Sequence, residues 1–265
     1  MYVKPKKHLG QHFLRNDEIC ANIAAALKHP DTFNSILEIG PGTGALTRHL
    51  IGLHSKELFV AEVDHESIAW LHVHFPSLKG HIINEDVLRM PLPERITGQV
   101  AVIGNFPYNI SSQILFWVLD HKDQVPEVVG MFQKEVAMRI AGGPGNKDYG
   151  ILSVLVQAYY DAEYLFSVDE HEFDPPPKVK SGVIRLIRKT EQSLGCDEKE
   201  FIRVVKTAFN QRRKTMRNSL RSLVHDADLL TDPVFNKRPE QLSVAEFVEL
   251  TKRIVSAHSR GSSRG

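Results

Sequence analysis

The sequence predicts an α/β protein: a doubly wound, mostly parallel sheet followed by a small all-helical domain. Three observations carry this. Short apolar runs alternate with segments of helical period up to about residue 140. Several of those runs end in loops rich in glycine or proline, with an acid or amide beside them. Beyond Asp197 no strand pattern recurs, and the apolar residues keep helical spacing.

Taken in order, Ile19, Ile23, Ala24 and Leu27 predict a helix over residues 17–29, with Asp17 as its N-cap. Residues 35–39 read as the first strand, and a glycine loop and a helix over 45–53 follow. A second strand spans 57–63 and a helix 67–75. A third strand covers 81–84, and a loop with Pro91 and Pro93 comes next. Residues 100–103 form a fourth strand, ahead of a helix that starts at Ser111. A fifth covers 128–132, and the helix over 134–140 stops at Gly142-Gly143-Pro144-Gly145. Residues 152–159 are helical. Two β-like runs, 162–168 and 182–187, bracket Phe173-Asp174-Pro175-Pro176-Pro177 and predict an antiparallel pair at the sheet edge. In the last part, the sets Phe201/Val204/Val205/Ala208/Phe209, Met216/Leu220/Leu223 and Val244/Phe247/Val248/Ile254/Val255 each fit one helical face. The expected division is a sheet domain over 1–190 with a basic arm over 1–16, a helical domain over 191–258 and a disordered Ser/Gly/Arg-rich tail over 259–265.

Composition excludes some classes. No apolar run approaches the roughly 20 residues that cross a bilayer, and the basic N-terminus lacks an apolar signal core. A cytoplasmic protein with no membrane partner is expected. Two cysteines, Cys20 and Cys196, without C-x-x-C spacing suggest neither a disulfide framework nor a zinc knuckle. His72 and His74 face apart on their helix, and no metal site is expected. The net charge of +1 hides an asymmetry: residues 1–188 sum to −4 and residues 189–265 to +5. Lys4, Lys6, Lys7 and Arg15 add a cluster with no acid in the first fifteen residues. Such asymmetry fits a polyanionic partner, and equally a solvated basic face.

Gly40, Gly42 and Gly44 follow the first strand on alternate residues, where backbone can turn sharply and approach a ligand. Glu62 ends the next strand, placed to accept hydrogen bonds from ribose hydroxyls, and Asp86 follows the third, placed to accept from an adenine amine. A nicotinamide dinucleotide would prefer G-x-G-x-x-G. Here the pattern is G-x-G-x-G preceded by Glu38, which repels a pyrophosphate but suits a cationic ammonium such as that of S-adenosylmethionine. A tight turn or a solvated acid explains each feature singly; three acids at consecutive strand ends favour the cofactor.

The fourth strand runs into Asn105-Phe106-Pro107-Tyr108, a polar turn at a strand's carboxyl end, where ligands of α/β sheets sit. Methyl transfer to an adenine N6 needs the delocalised amine lone pair freed and aligned. The side-chain oxygen of Asn105 and a carbonyl beside Pro107 can accept its two N–H bonds. Tyr108 can stack on a base flipped out of its own stack, with Phe173 as a candidate second ring. The alternatives are an Asx turn for Asn105 and core packing for the two aromatics.

The motifs QHFL (11–14), LEIGPGTGALT (37–47), EDVL (85–88), GNFPYNIS (104–111), QKEVAMRI (133–140), FDPPPKVKS (173–181) and AFNQRRKTMRNSL (208–220) occur in that order. Together the set resembles the KsgA-type ribosomal RNA small-subunit (16S) adenine N6-dimethyltransferases over nearly the whole chain. The resemblance implies a Rossmann-like S-adenosylmethionine-dependent methyltransferase domain with a small all-helical C-terminal domain. It implies transfer of four methyls to two adjacent adenosines near the 3′ end of 16S rRNA in the small ribosomal subunit, linked to ribosome biogenesis. A monomer is expected. It places cofactor contacts on His12, Leu14, Gly40, Glu62, Asp86 with Val87 beside it, and Asn105, and base-site roles on Asn105, Pro107 and Tyr108. It gives the basic residues RNA phosphates to contact: Lys4, Lys6, Lys7 and Arg15 in the arm, Arg212, Arg213, Lys214, Arg217 and Arg221 in the helical domain. For Arg212 and Arg213 an interdomain salt bridge is the competing role. The family usually has Leu at the position of Phe106. An Erm-like large-subunit rRNA methyltransferase shares the N-terminal half, though AFNQRRKT argues against it. A non-catalytic assembly or transcription factor is the third reading, opposed by the intact site residues.

Overall fold

The computed structural model describes residues 3–224 and 226–262, side chains up to His258. The chain divides into two compact units, 1–138 with 161–188, and 139–160 with 189–265.

In chain order the strands are β1 (Phe13–Leu14), β2 (Ser35–Ile39), β3 (Glu57–Ala61), β4 (Ile82–Ile83), β5 (Val100–Asn105), β6 (Glu127–Gln133), β7 (Tyr160–Val168), β8 (Phe173–Asp174) and β9 (Ser181–Arg188). The helices are α1 (Asp17–Ala25), α2 (Thr47–Leu50), α3 (His65–His74), α4 (Leu92–Arg95), α5 (Ser111–Asp120), α6 (Lys134–Ala141), α7 (Ile151–Tyr159), α8 (Glu198–Asn210), α9 (Met216–Ser219) and α10 (Val244–Ser262).

The first unit is built on a seven-stranded sheet in the order β4-β3-β2-β5-β6-β9-β7. Strands β4 to β6 pair in parallel, and β9 runs antiparallel to β6. From β2 the chain works outward through β3 and β4, then returns to start β5 on the other side of β2. That reversal makes a switch point between β2 and β5, where α/β sheets take ligands. Every residue of β2 is buried, Ser35 and Glu38 included, as expected of a central strand covered on both faces. Ile36, Leu58, Val60, Ala101, Ile103, Val129 and Met131 alternate onto one face and join Ile23, Leu27 and Phe33 in its core. The two runs expected at the edge, β7 and β9, do lie side by side there.

Local details differ from the sequence reading. Asn16, not Asp17, caps α1: its Oδ1 accepts from Ile19 N at 3.2 Å. Asp17 instead holds His49 Nε2 at 2.8 Å. Helix α2 covers only Thr47–Leu50, because Gly42 and Gly44 have φ of +56° and +81° and keep the preceding loop out of the helical region. The two-stranded pairing of β1 with β8, Phe13 opposite Asp174 and Leu14 opposite Phe173, had no signal in the sequence.

The second unit is helical. Helix α8 buries the expected Phe201, Val204, Val205, Ala208 and Phe209. Phe209 meets Tyr149 at 6.3 Å and Phe247 of α10 at 5.9 Å between ring centroids. Helix α7 belongs here too, and not to the sheet domain expected over 1–190. Seven of its nine residues are buried, so it needs partners on most sides, and α8 is one. Helix α10 continues to Ser262, past the expected start of the tail at Ser259. Residues 263–265 lie outside those described. Among the described residues no helix is long and apolar enough to cross a membrane.

Candidate active site

The ends of β2, β3 and β5 open into a cavity of about 370 Å³. Register brings them together: Ile39 pairs with Ala61, and Glu38 with Ile103. Gly40 and Gly42, Glu62, Asp86 with Val87, and the Asn105–Tyr108 turn line it, and residues 9–13 of the arm form another wall. Gly42 has to be glycine on two counts. Its φ is left-handed, and a Cβ there would stand 2.7 Å from the Phe13 ring.

Glu62 is fixed by backbone. Its Oε2 accepts from Gly42 N at 3.1 Å, and its Oε1 from Val63 N and Asp64 N, both at 2.9 Å. Burial raises its pKa, while those three hydrogen bonds favour the charged form. Asp86 accepts from Leu88 N at 3.0 Å, a cap that aims the carboxylate along the cavity rim. Val63, 44% exposed beside Glu62, adds an apolar surface to the cavity. A valine directly after a strand-end acid is the signal by which it could have been found.

Asn105 ends β5 with its side chain oriented. Nδ2 donates to the carbonyl of His12 at 2.8 Å, which leaves Oδ1 as the free acceptor end of the amide. The carbonyl of Pro107 accepts from Ile110 N at 3.1 Å and so closes the turn. The Pro107 ring faces Gly40, whose absent Cβ would be 3.8 Å from its Cδ. Tyr108 is held at both ends. Its hydroxyl is hydrogen-bonded to Ser181 Oγ, and its ring stacks on His12 at 5.5 Å and 26°. His12 in turn donates from Nδ1 to the carbonyl of Pro175 at 2.7 Å. Phe106 points the other way. Its ring is fully buried, edge-on to Phe132 at 5.2 Å, over Gly104 and Gly130. A Cβ on Gly130 would fall 2.5 Å from that ring, so the larger side chain takes its room from two paired glycines.

Residues 3–255 match the family model described as ribosomal RNA adenine dimethylase. The chain belongs to that family. It is 58% identical over 252 residues, 94% of this chain and 93% of the relative, to a Parabacteroides distasonis protein named ribosomal RNA small subunit methyltransferase A. A Cytophaga hutchinsonii protein of the same name is 54% identical, covering 95% and 98%. Among solved structures, a dimethyladenosine transferase from Plasmodium falciparum superposes with a TM-score of 0.78 at 25% identity, covering 92% and 98%. The 23S rRNA methyltransferase ErmE gives 0.64 at 25% identity, covering 91% and 99%. The Erm-like reading is therefore not favoured. The Rossmann-like fold, rRNA as substrate and S-adenosylmethionine as methyl donor follow for this dimethylase.

The cavity fits that donor. A buried carboxylate at a strand end, a second acid on the rim and a glycine loop too tight for any Cβ at Gly42 suit a nucleoside with an amino-acid tail. Leu14 and Glu38 lie off the main cavity, in a crevice of about 30 Å³ that shares Gly40 and Asn105 with it. Thr47 Oγ1 donates to Glu38 Oε2 at 2.6 Å. Gly44 lines neither space, and its turn packs on Phe75, within 2.2 Å of where a Cβ would be. Phe173 corrects an expectation. It is 1% exposed and packs with Leu14, Ile23 and Val168 in the core, because β8 pairs with β1 and turns that ring inward. The ring beside Tyr108 is His12.

Burial pushes the Glu38 carboxyl up to about 8; the Thr47 hydrogen bond opposes this and the charge of Glu62 adds to it. Between the ordinary value of 4.5 and about 8, native Glu38 keeps a proton that the unfolded chain has lost. Stability therefore falls as pH rises through that window. Glu38→Gln removes this titration. Urea unfolding from about pH 5 to about pH 8 is expected to show a shallower decline for the variant. Equal slopes would mean that native Glu38 is already ionised.

The basic residues divide. Lys4, Lys7 and Arg15 are exposed and make no ion pair among the described residues. Lys6 is bound to Asp64 and, at 3.3 Å, to Glu66. In the helical unit Arg213, Lys214, Arg217 and Arg221 are exposed. Arg212 donates to the carbonyl of Lys147 within the same unit.

Proposed function

We propose that this dimethylase converts two adjacent adenosines near the 3′ end of 16S rRNA to N6,N6-dimethyladenosine within the small ribosomal subunit, acting as a cytoplasmic monomer. The single strongest support is the agreement of two relatives, both named ribosomal RNA small subunit methyltransferase A, that each align over more than nine-tenths of this chain.

Glu62 would hold the ribose hydroxyls of the donor, and Asp86 the adenine amine with Val87 against the ring; Glu38, buried off the cavity and held by Thr47, keeps its proton and does not serve as the partner of the ammonium that the sequence suggests. His12 and Leu14 would contribute through the arm that carries them. When bound, the donor supplies an electrophilic methyl on sulfur and a neutral leaving group. The chain's task is then to free the N6 lone pair and point it. Asn105 Oδ1 accepts one N–H. The Pro107 carbonyl spends one of its two lone pairs on its turn, and the carbonyl of Phe106, one residue earlier, is the proposed second acceptor. Two acceptors draw the amine toward tetrahedral geometry and oriented attack. Tyr108 offers a ring face to the flipped base. Its hydroxyl anchor on Ser181 keeps the ring from following the base out. After the first transfer the methylated nitrogen releases a proton to solvent; one N–H remains, held by one of the two acceptors while the new methyl takes the other position, and the lone pair is again available for the second transfer.

Lys4, Lys7 and Arg15, with Arg213, Lys214, Arg217 and Arg221, would contact phosphates, supplying affinity and register rather than base choice. Labelled methyl transfer to small subunits lacking the modification, with nucleotide mapping, tests the proposal. Dimethyladenosine at two adjacent positions is expected, together with no transfer to large-subunit RNA. Transfer to large-subunit RNA alone would overturn it.

A further inference from the structure

One lysine of the arm is used differently from its neighbours. Lys6 Nζ donates to Asp64 Oδ1, and its side chain is 27% exposed while that of Asp64 is 1% exposed. The backbone N–H of Lys6 donates to Gln11 Oε1 at 2.8 Å. Gln11 Nε2 reaches Asp64 Oδ2 at 3.4 Å. Both oxygens of one buried carboxylate therefore hold the arm. That carboxylate is itself fixed: Ser67 Oγ donates to it at 2.9 Å, and it caps α3. Two residues upstream, Glu62 accepts from the N–H of Asp64 at 2.9 Å.

Between Lys6 and β1 the arm turns back on itself through Leu9 N to Lys6 O and Gly10 N to Lys7 O, each 3.0 Å. The turn ends at Gly10, whose φ is +66° and whose Cβ position lies 2.6 Å from Asn109 Oδ1. At its far end the arm is tied by the pairing of β1 with β8 and by the His12 carbonyl on Asn105. The segment between the ties is one wall of the cavity.

We infer that Lys6 is a positioning residue that latches the arm across the donor cavity through Asp64, and not an RNA contact. This rests on the reading of the cavity as the S-adenosylmethionine site. The latch is a charge-assisted hydrogen bond to a desolvated carboxylate, and removing one partner leaves that carboxylate short of a donor. The near tie of the arm then depends on Gln11 alone. The wall loosens on the side of Glu62, and bound donor escapes faster. Chemistry at Asn105, fastened from the other end, is untouched once donor is bound.

The test uses the full-length protein with Lys6→Gln, Lys6→Arg and, as comparison, Lys7→Gln. Donor affinity is read by calorimetric titration with S-adenosylmethionine, and KM and kcat by transfer to unmethylated small subunits. Lys6→Gln is expected to weaken donor binding and raise donor KM about tenfold, with kcat at saturation within about twofold and RNA KM unchanged. Lys6→Arg restores most of the affinity. Lys7→Gln raises RNA KM and leaves donor affinity alone. Hydrogen exchange of residues 9–13 is faster in Lys6→Gln than in the parent. Donor affinity within about twofold of the parent in Lys6→Gln overturns the latch, whatever happens to RNA KM. Absence of donor binding by the parent would instead overturn the reading of the cavity.

Discussion

Asn105→Ala transfers methyl groups about 10²- to 10³-fold more slowly than the parent enzyme, the loss expected for one preorganised acceptor at a reacting centre. The amide is oriented before substrate arrives. Its Nδ2 is committed to the His12 carbonyl at 2.8 Å, so Oδ1 is the end left for the amine. Alanine removes the acceptor and leaves that carbonyl without its donor. Because Asn105 is the last residue of β5 and half-buried, the sheet survives the change. Single-turnover transfer, with circular dichroism as the folding control, measures the effect. Parent-like transfer would sink the assigned role. Asn105→Asp is a sharper probe. It keeps an acceptor but sets a carboxylate against the His12 carbonyl, and falls between alanine and the parent.

Glu62→Ala binds S-adenosylmethionine at least about a hundredfold more weakly, because each hydrogen bond to a charged group contributes about 1.5–3 kcal/mol and a ribose offers two hydroxyls. The carboxylate also organises its own surroundings. Gly42, Val63 and Asp64 all donate to it, which ties the glycine loop to the end of β3. Losing it frees three amides as well as the sugar contact. Calorimetric titration decides, and unchanged affinity would reassign the cavity. Glu62→Gln retains one acceptor oxygen and is expected to show an intermediate loss.

The two variants separate two jobs within one pocket. A drop in transfer with donor affinity kept belongs to the turn after β5; a drop in affinity recovered by high donor concentration belongs to the end of β3. The Lys6 variant resembles the second pattern in milder form, since it acts on the wall and not on the ligand.

By itself the sequence determined the parts that local chemistry writes. Alternating apolar runs and helical periods set the α/β order, since each strand or helix reports its own burial. Glycines at 40 and 42, acids at 62 and 86, and the Asn105–Tyr108 turn marked the cavity, because turn geometry and ligand chemistry restrict residue type position by position. Ordered motifs carried the family. What packing across long separations decides was not legible. Lys6 reads as a free cation in the arm, but its partner lies 58 residues away and is a buried carboxylate that captures it. Phe173 reads as a pocket aromatic until pairing with a strand about 160 residues earlier turns it into the core. The side-chain oxygen of Asn105 reads as the acceptor for the amine, but what turns that end toward the cavity is the His12 carbonyl, 93 residues upstream, which takes Nδ2. Helix α7 reads as part of the sheet domain, because its own apolar period does not say which unit buries it, and packing places it in the helical one. A side chain's type and local period limit what it can do; which distant group reaches it first is settled only when the chain is packed.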